Sequence, residues 1–251
     1  MHLRVAAVVS LAALSSLVAG TRRAEADRGD DLPAKYKKPP YSLMSLSVGY
    51  PNAGYQLRPI KLKTNRNLRV KKGSEQRIYG HPALVKMLHR NARDMARTFK
   101  GSVMLVGDLS DEDGGPLSGH HSHQSGRDAD VAFYALDPKG KPAKLDRFIA
   151  FDGEGVAKDK SGYRFDDRRN WLLVRAWLKD HRAGLSHIFV SRPLRRRLLA
   201  YAEGHKAEAK HVEAAARLLK EPKNADAHDD HFHLRISCPK RQEAICREEP
   251  R

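Results

Sequence analysis

The chain has 251 residues, with 47 lysines and arginines against 30 aspartates and glutamates, and its formal net charge at pH 7 is +17. This length is enough for one good core but short for two domains of ordinary size. A charge of this size raises the rate of association with anionic partners. No zinc-finger, homeodomain or RNA-binding signature accompanies it, so the composition does not indicate a nucleic-acid-binding protein.

The N-terminus has the pattern of an export signal. Arg4 precedes an apolar run over residues 5–19, and Ala24-Glu25-Ala26 resembles a small-x-small cleavage site. The apolar run is shorter than the roughly 20 residues that span a bilayer. We therefore expect a signal peptide over residues 1–26, cleaved near Ala26, and a periplasmic mature chain without a transmembrane span. A retained membrane anchor and cleavage after Gly20 are the alternatives. In that compartment anionic cell-envelope polymers are better candidate partners than nucleic acid, and a plain solvated basic surface is the alternative.

Residues 27–42 are charged, contain prolines and are expected to be a flexible lead-in to one domain over residues 43–251. In that domain Pro82 can begin a helix, and the apolar residues that follow keep helical spacing. Further predicted elements are helices over residues 171–178, 193–202 and 207–220, and strands over residues 103–106, 130–134, 187–190 and 231–233. Because no βαβ rhythm is visible, we predict an α+β fold with a mostly antiparallel central sheet and flanking helices.

Two short segments, residues 120–130 and His231-Phe232-His233, concentrate the histidines of the chain. In a strand, successive side chains point to opposite faces, so His231 and His233 are expected to project on the same side. Asp130 begins a second predicted strand, and His123 lies in the loop before it. Imidazole nitrogens and a carboxylate oxygen are ligands that zinc prefers, and a hydrolytic site needs an open position with a base beside it. The two segments together supply such a set.

The first segment also resembles a known family. Residues 118–130 have the sequence Ser-Gly-His-His-Ser-His-Gln-Ser-Gly-Arg-Asp-Ala-Asp, which is similar to the S-G-H-x-S-H-Q-x-G-x-D-x-D motif of the penicillin-insensitive murein endopeptidases. That family belongs to a superfamily with lysostaphin, the D-Ala-D-Ala peptidases and the Sonic hedgehog signalling domain. Its signature, H-x6-D followed by H-x-H, is matched by His123 to Asp130 and by His231 to His233. The likeness extends upstream to Ser47-Val48-Gly49, Tyr79-Gly80-His81-Pro82 and Val106-Gly107-Asp108, and downstream to Arg235 and Cys238-Pro239. It therefore covers nearly the whole mature chain and implies a single metallopeptidase domain of this superfamily's fold.

Carried over residue by residue, the resemblance implies that His123, Asp130 and His233 bind one Zn²⁺ per chain. His120 matches a further family histidine at the metal. The first histidine of the H-x-H motif, His231, is implied to act in catalysis beside the metal, and His228 to line the same site.

A second metal site is not expected. Some family members are described with a second site built from D-x-x-H in the middle of the chain. This sequence has only Asp166-Asp167-Arg168-Arg169 in roughly that region, without a histidine.

Three other residues complete the predicted set. Arg235 shares the strand face of His231 and His233, and its forked guanidinium suits a substrate carboxylate; a structural ion pair is the alternative. Cys238 and Cys246 are the only cysteines. In an exported protein such a close pair favours one local disulfide over two free thiols.

The resemblance implies a zinc-dependent endopeptidase that hydrolyses peptide cross-links of peptidoglycan, at the amide between D-alanine and a diamino acid. One alternative is a protein that keeps the zinc site without catalysis and binds the cell wall or a partner. Another is a non-haem iron oxygenase, because two histidines and a carboxylate also form the facial triad of those enzymes.

Overall fold

The structure is a computed structural model that describes residues 30–222 and 227–248. The predicted signal peptide over residues 1–26 lies outside the described residues. The chain divides between Met44 and Ser45 into two compact units. In the first unit, residues 30–44 contain two short 3-10 turns, Ala34–Lys37 and Tyr41–Leu43. The flexibility expected of residues 27–42 stays a prediction.

The second unit contains strands and helices that are mixed along the chain. In chain order the strands are Leu46–Tyr50 (β1), Ala53–Leu57 (β2), Ile60–Lys61 (β3), Leu68–Val70 (β4), Tyr79–Gly80 (β5), Met104–Val106 (β6), Asp128–Ala132 (β7), Ala135–Leu136 (β8), Arg164–Phe165 (β9), Leu185–Phe189 (β10), Leu219–Lys220 (β11) and His231–Ile236 (β12). The α-helices are Pro82–Thr98 (α1), Asp167–Lys179 (α2), Arg192–Gly204 (α3) and Ala209–Leu218 (α4).

Six strands form the central sheet, in the spatial order β11-β10-β12-β7-β6-β4. The three inner pairings, β10 with β12, β12 with β7 and β7 with β6, are antiparallel. The two outer pairings, β10 with β11 and β4 with β6, are parallel. The predicted α+β class with a mostly antiparallel sheet is therefore confirmed, but the sheet is mixed. In the chain, α1 lies between the parallel strands β4 and β6, and α3 and α4 lie between the parallel strands β10 and β11. The sequence pattern did not predict this arrangement.

The helix predicted at Pro82 is α1, and its local chemistry explains where it begins. Proline occupies the first helical position, where the missing N–H is not needed. The ring of His81 accepts a hydrogen bond from the backbone N–H of Ala83 and so caps the helix. The residues that keep helical spacing, among them Leu84, Leu88 and Met95, are buried on one face. The helix predicted over residues 207–220 ends earlier, at Leu218, because the next two residues form β11 against β10.

The two faces of β12 have opposite character. Phe232 is fully buried and packs edge-on against Phe133 and Trp177, with ring centroids 4.6 and 5.3 Å apart. Because Trp177 belongs to α2, this face of the sheet lies under a helix. His231 and His233 lie on the other face, as the period of two requires. Within residues 30–222 and 227–248, no helix has the length and apolar character that would let it cross a bilayer.

Candidate metal centre

Strands β7 and β12 bring the two histidine-bearing segments together. In their antiparallel register Asp130 lies opposite His233, and Asp128 lies opposite Arg235. Directly opposed residues project from the same face of a sheet. The pairing therefore places two aspartates and the H-x-H histidines on one surface, with Phe232 on the other.

His123 enters this surface from the loop before β7. Its backbone has a φ of +68°, and its side chain is 1% exposed. The ring Nδ1–H donates to the carbonyl oxygen of Leu109, so in the neutral ring the lone pair is on Nε2. That Nε2 lies 3.3 Å from Oδ1 of Asp130. Gly126 makes the loop possible, because its φ is +71° and a Cβ there would lie 1.9 Å from Oε1 of Gln56.

His120 lies beside His123, with ring centroids 4.3 Å apart. Its Nε2 is 2.8 Å from Oδ2 of Asp108, and its Nδ1 is 3.8 Å from Oδ2 of Asp130. His120, His123 and Asp130 each offer one ligand atom, and these atoms all lie within 4.8 Å of one another. Burial raises the pKa of Asp108, but hydrogen bonds from His120 and Ser74, together with the charge of His120, outweigh it and lower this pKa to about 2.

His233 is oriented by a buried carboxylate. Its Nε2 lies 2.8 Å from Oδ1 of Asp128, which also accepts a hydrogen bond of 2.6 Å from Nε of Arg235. Its Nδ1 lies 4.0 Å from Oδ1 of Asp130 and 3.2 Å from Nε2 of His228. His233 therefore presents Nδ1 toward Asp130 and His228, and the role of His228 in the site stays a prediction. Arg235 is 2% exposed, and these contacts describe a structural ion pair; its contact with a substrate stays a prediction.

His231, the first residue of β12, points at the carboxylate of Asp130. Its Nε2 lies 3.3 Å from Oδ1 of Asp130, and its Nδ1 is held by Asp230. The ring stacks on Phe148, with centroids 5.0 Å apart and planes inclined by 22°. Gly107 allows this packing, because a Cβ there would lie 2.5 Å from the Phe148 ring.

Asp130 dominates the electrostatics of the cluster. Burial lowers the pKa of His123 and His231, but the carboxylates beside them outweigh it, so that the pKa of His123 is raised and that of His231 rises to about 10. Burial raises the pKa of Asp130, but His123 and His231 hold it well below its usual range. The pKa of His233 is lowered by burial to about 3, which keeps its ring neutral. The site therefore places the ionised carboxylate of Asp130 among imidazole rings, and two of these rings, those of His123 and His231, have a raised pKa because of it.

These residues fit a metal ion. Nε2 of His123 and Oδ1 of Asp130 are both buried, and neither has a hydrogen-bond partner among the described residues. Buried polar atoms are normally satisfied, and one cation between nitrogen and oxygen donors would satisfy both atoms at once. The set of imidazoles and a carboxylate is typical of zinc.

Several neighbours of the site were not predicted as functional residues. Phe148 comes from a segment far from both histidine-bearing segments in the chain. Asp108 follows the buried strand β6, twelve residues before His120, and the resemblance to the family included this residue without giving it a role. In the region where some family members have a second metal site, Asp166 pairs with Arg169 at 2.6 Å. Asp167 likewise pairs with Arg197 at 2.7 Å. Both carboxylates therefore have arginine partners.

The two cysteines form the predicted disulfide. Cys238 and Cys246 are bonded, with their Cα atoms 5.7 Å apart. The bridge follows β12 directly and closes the segment that contains Gln242, whose side chain accepts from the backbone N–H of Ser47 in β1. The C-terminal segment is thus tied to the N-terminal part of the same unit.

The fold and the site together define an α+β protein whose central sheet carries a candidate centre for a divalent cation. The sequence model of the penicillin-insensitive murein endopeptidase family matches residues 48–251. The chain belongs to this family.

Curated relatives carry the same description. A penicillin-insensitive murein endopeptidase of Pectobacterium atrosepticum is 30% identical over 201 residues, which are 80% of this chain and 66% of that protein. One from Haemophilus influenzae is 29% identical over 192 residues, 74% of this chain and 56% of that protein. One from Yersinia pestis is 27% identical over 188 residues, with shares of 72% and 61%. The chain thus spans less than two thirds of the length of these relatives.

Proposed function

We propose that the protein is a zinc-dependent endopeptidase that hydrolyses peptide cross-links of peptidoglycan in the periplasm, at the amide between D-alanine and a diamino acid. Membership of the murein endopeptidase family supports the substrate class. The observation that carries the chemistry is the buried pair of His123 Nε2 and Asp130 Oδ1, 3.3 Å apart and without hydrogen-bond partners among the described residues. Such a pair inside a group of histidines is what a metal centre requires.

The proposed ligands are His123, Asp130 and His233, with His120 as a further nitrogen at the same ion. Their orientation supports this assignment, because carboxylates hold the far sides of two of the rings: Asp128 holds His233, and Asp108 holds His120. Supporting contacts of this kind fix the ring orientation and raise ligand basicity. Zinc bound there would supply Lewis acidity toward a carbonyl group and toward water.

His231 is the proposed acid–base residue. Asp230 holds its Nδ1, so its Nε2 faces the carboxylate of Asp130 and the space beside the ligands. Asp130 is the main cause that raises the pKa of His231. A cation held by Asp130 would offset this effect, so that Nε2 could take a proton from water and deliver it to the amide nitrogen that leaves. His228 has its Nε2 3.2 Å from Nδ1 of His233 and is proposed to position groups on the same side.

The periplasmic location is supported by the disulfide between Cys238 and Cys246. Disulfides persist in oxidising compartments such as the periplasm and are rare in the cytosol. The predicted export signal over residues 1–26 points the same way.

Cross-linked muropeptide dimers digested by the purified protein test the proposal. We expect conversion of dimers to monomers, loss of this activity with a chelator and its return when zinc is added. Variant His123→Ala should lose both zinc and activity. His181→Ala is the matched control, because His181 is exposed and makes none of the contacts of the site. Dimers left intact by a protein that holds zinc would overturn the catalytic proposal and favour a binding protein with a retained metal site.

A further inference from the structure

Lys71 is placed at the edge of the candidate centre by the sheet. It follows β4 directly, and its backbone N–H donates to the carbonyl oxygen of Val106 at 2.7 Å. Because β4 pairs in parallel with β6, the residue after β4 lies beside the end of β6. The chain continues from that end into Gly107 and Asp108, which border the site. The backbone of Lys71 is therefore fixed next to the residues that support the metal cluster.

The side chain of Lys71 extends toward the proposed acid–base residue. Its Nζ lies 5.5 Å from the ring centroid of Phe148. Phe148 in turn stacks on His231 at 5.0 Å and packs against the backbone of Gly107. Phe148 therefore connects the ammonium group with the imidazole.

Among the described residues, the ammonium group of Lys71 contacts an aromatic ring but no anionic group. The residue is half-buried, and within residues 30–222 and 227–248 its side chain makes neither an ion pair nor a hydrogen bond. Two other cations near the site are engaged: Arg77 lies 3.3 Å from Asp108, and Arg235 lies 2.6 Å from Asp128. A contact with an aromatic ring is weaker than a charge-assisted hydrogen bond. Lys71 is thus a cation beside the site that has no carboxylate partner among the described residues.

We propose that Lys71 binds a free carboxylate of the substrate and so selects peptides that carry this group next to the amide that is cut. The path from Nζ of Lys71 to the ring of Phe148 and on to the ring of His231 consists of one step of 5.5 Å and one of 5.0 Å. An extended residue spans about 3.3–3.6 Å, so this path is no longer than about three residues of a bound peptide. A carboxylate one or two residues from an amide at the centre is within reach of the ammonium group. The proposal rests on the proposed function and names the substrate class more narrowly: acidic peptides, not peptides in general.

The test uses the zinc-loaded mature protein and two cross-linked muropeptide dimers. The dimers differ at one group, which is a free carboxylate in the first and a carboxamide in the second, on the residue next to the cleaved amide. A charge-assisted hydrogen bond corresponds to about 10- to 100-fold in binding. We expect wild-type protein to prefer the carboxylate by such a factor in kcat/KM, mainly through KM. Lys71→Met should lose the preference by slowing only the carboxylate substrate, and Lys71→Arg should keep most of it.

Lys72→Met is the matched control, because Lys72 is the exposed neighbour of Lys71 and its replacement removes the same charge from the chain. Zinc content and the thermal unfolding temperature of each variant show whether the fold and the centre are intact, and Lys71→Gln replaces Lys71→Met if the latter does not fold. A Lys71 variant that keeps the full preference, or slows both substrates equally, overturns the proposal.

Binding separates this proposal from the proposed function. If the wild-type protein cleaves neither dimer, the proposed function fails, and calorimetric binding of the same two dimers still tests Lys71. Tighter binding of the carboxylate dimer that Lys71→Met abolishes upholds the carboxylate site without catalysis. Equal binding of both dimers by the wild type overturns it.

Discussion

Replacing Asp128 by asparagine should destabilise the protein even without metal. The side chain of Asp128 is fully buried, and its Oδ1 is shared by Nε of Arg235 at 2.6 Å and Nε2 of His233 at 2.8 Å. Arg235 is 2% exposed, so the substitution leaves a buried guanidinium without its counter-charge. Removal of one partner of a buried ion pair costs about 3–5 kcal/mol. We expect Asp128→Asn to lower the free energy of unfolding by roughly that amount.

The measurement is urea unfolding of chelator-treated protein, followed by circular dichroism. The matched control is Asp159→Asn, because the pair of Asp159 with Arg147 has a similar distance of 2.9 Å but exposed side chains. Exposed pairs contribute about 0–1 kcal/mol. The slope of the unfolding free energy against urea should not change. If Asp128→Asn and Asp159→Asn cost the same, the buried pair does not have the role derived from its geometry.

Asp128→Asn should also weaken zinc binding. The carboxylate holds the far nitrogen of His233, and loss of such a supporting contact typically reduces metal affinity by about 10- to 100-fold. A competition titration with a zinc-binding dye measures this change. Unchanged affinity would remove His233 from the proposed ligands or Asp128 from its support.

Three further predictions address catalysis, the disulfide and pH. His231→Ala should keep its zinc but cleave dimers about 10²- to 10⁴-fold more slowly; loss of zinc, or wild-type turnover, would refute its role. Cys238→Ser with Cys246→Ser should lower stability by about 2–3 kcal/mol in urea unfolding, because the disulfide closes a short loop; an unchanged midpoint would contradict this. Burial lowers the pKa of His81 to about 4 from 6.5, so the unfolded state binds more protons between these values. Stability should fall as pH falls through this window, by up to about 3 kcal/mol, and His81→Asn should unfold with less pH dependence.

The face of β12 that carries His231 and His233 could be predicted from the sequence, because the alternation that indicates it lies within a few consecutive residues. Alternation along residues 231–233 places both histidines on one side of a strand, and the structure shows both near Asp130. The helix at Pro82 was predictable for the same reason, since its start and its apolar spacing lie within one segment. The resemblance to the murein endopeptidases is confirmed by the family match over residues 48–251.

Features that depend on distant segments were not predictable. Strands β4 and β11 have three and two residues, too few to show a period, so the parallel edges of the sheet left no pattern in the sequence. Phe148 contacts His231, 83 residues further along the chain, only because the fold brings the two together. For Arg235 the residue type suited both a substrate and an ion pair, and only the fold revealed the buried Asp128 beside it.

The most direct test of the account is a crystal structure of the purified protein with anomalous data collected at the zinc edge. The account predicts one strong peak, about 2.0–2.2 Å from Nε2 of His123, Oδ1 of Asp130 and Nδ1 of His233. A peak at other residues, or no peak in a protein that still cleaves cross-linked dimers, would contradict the proposed centre.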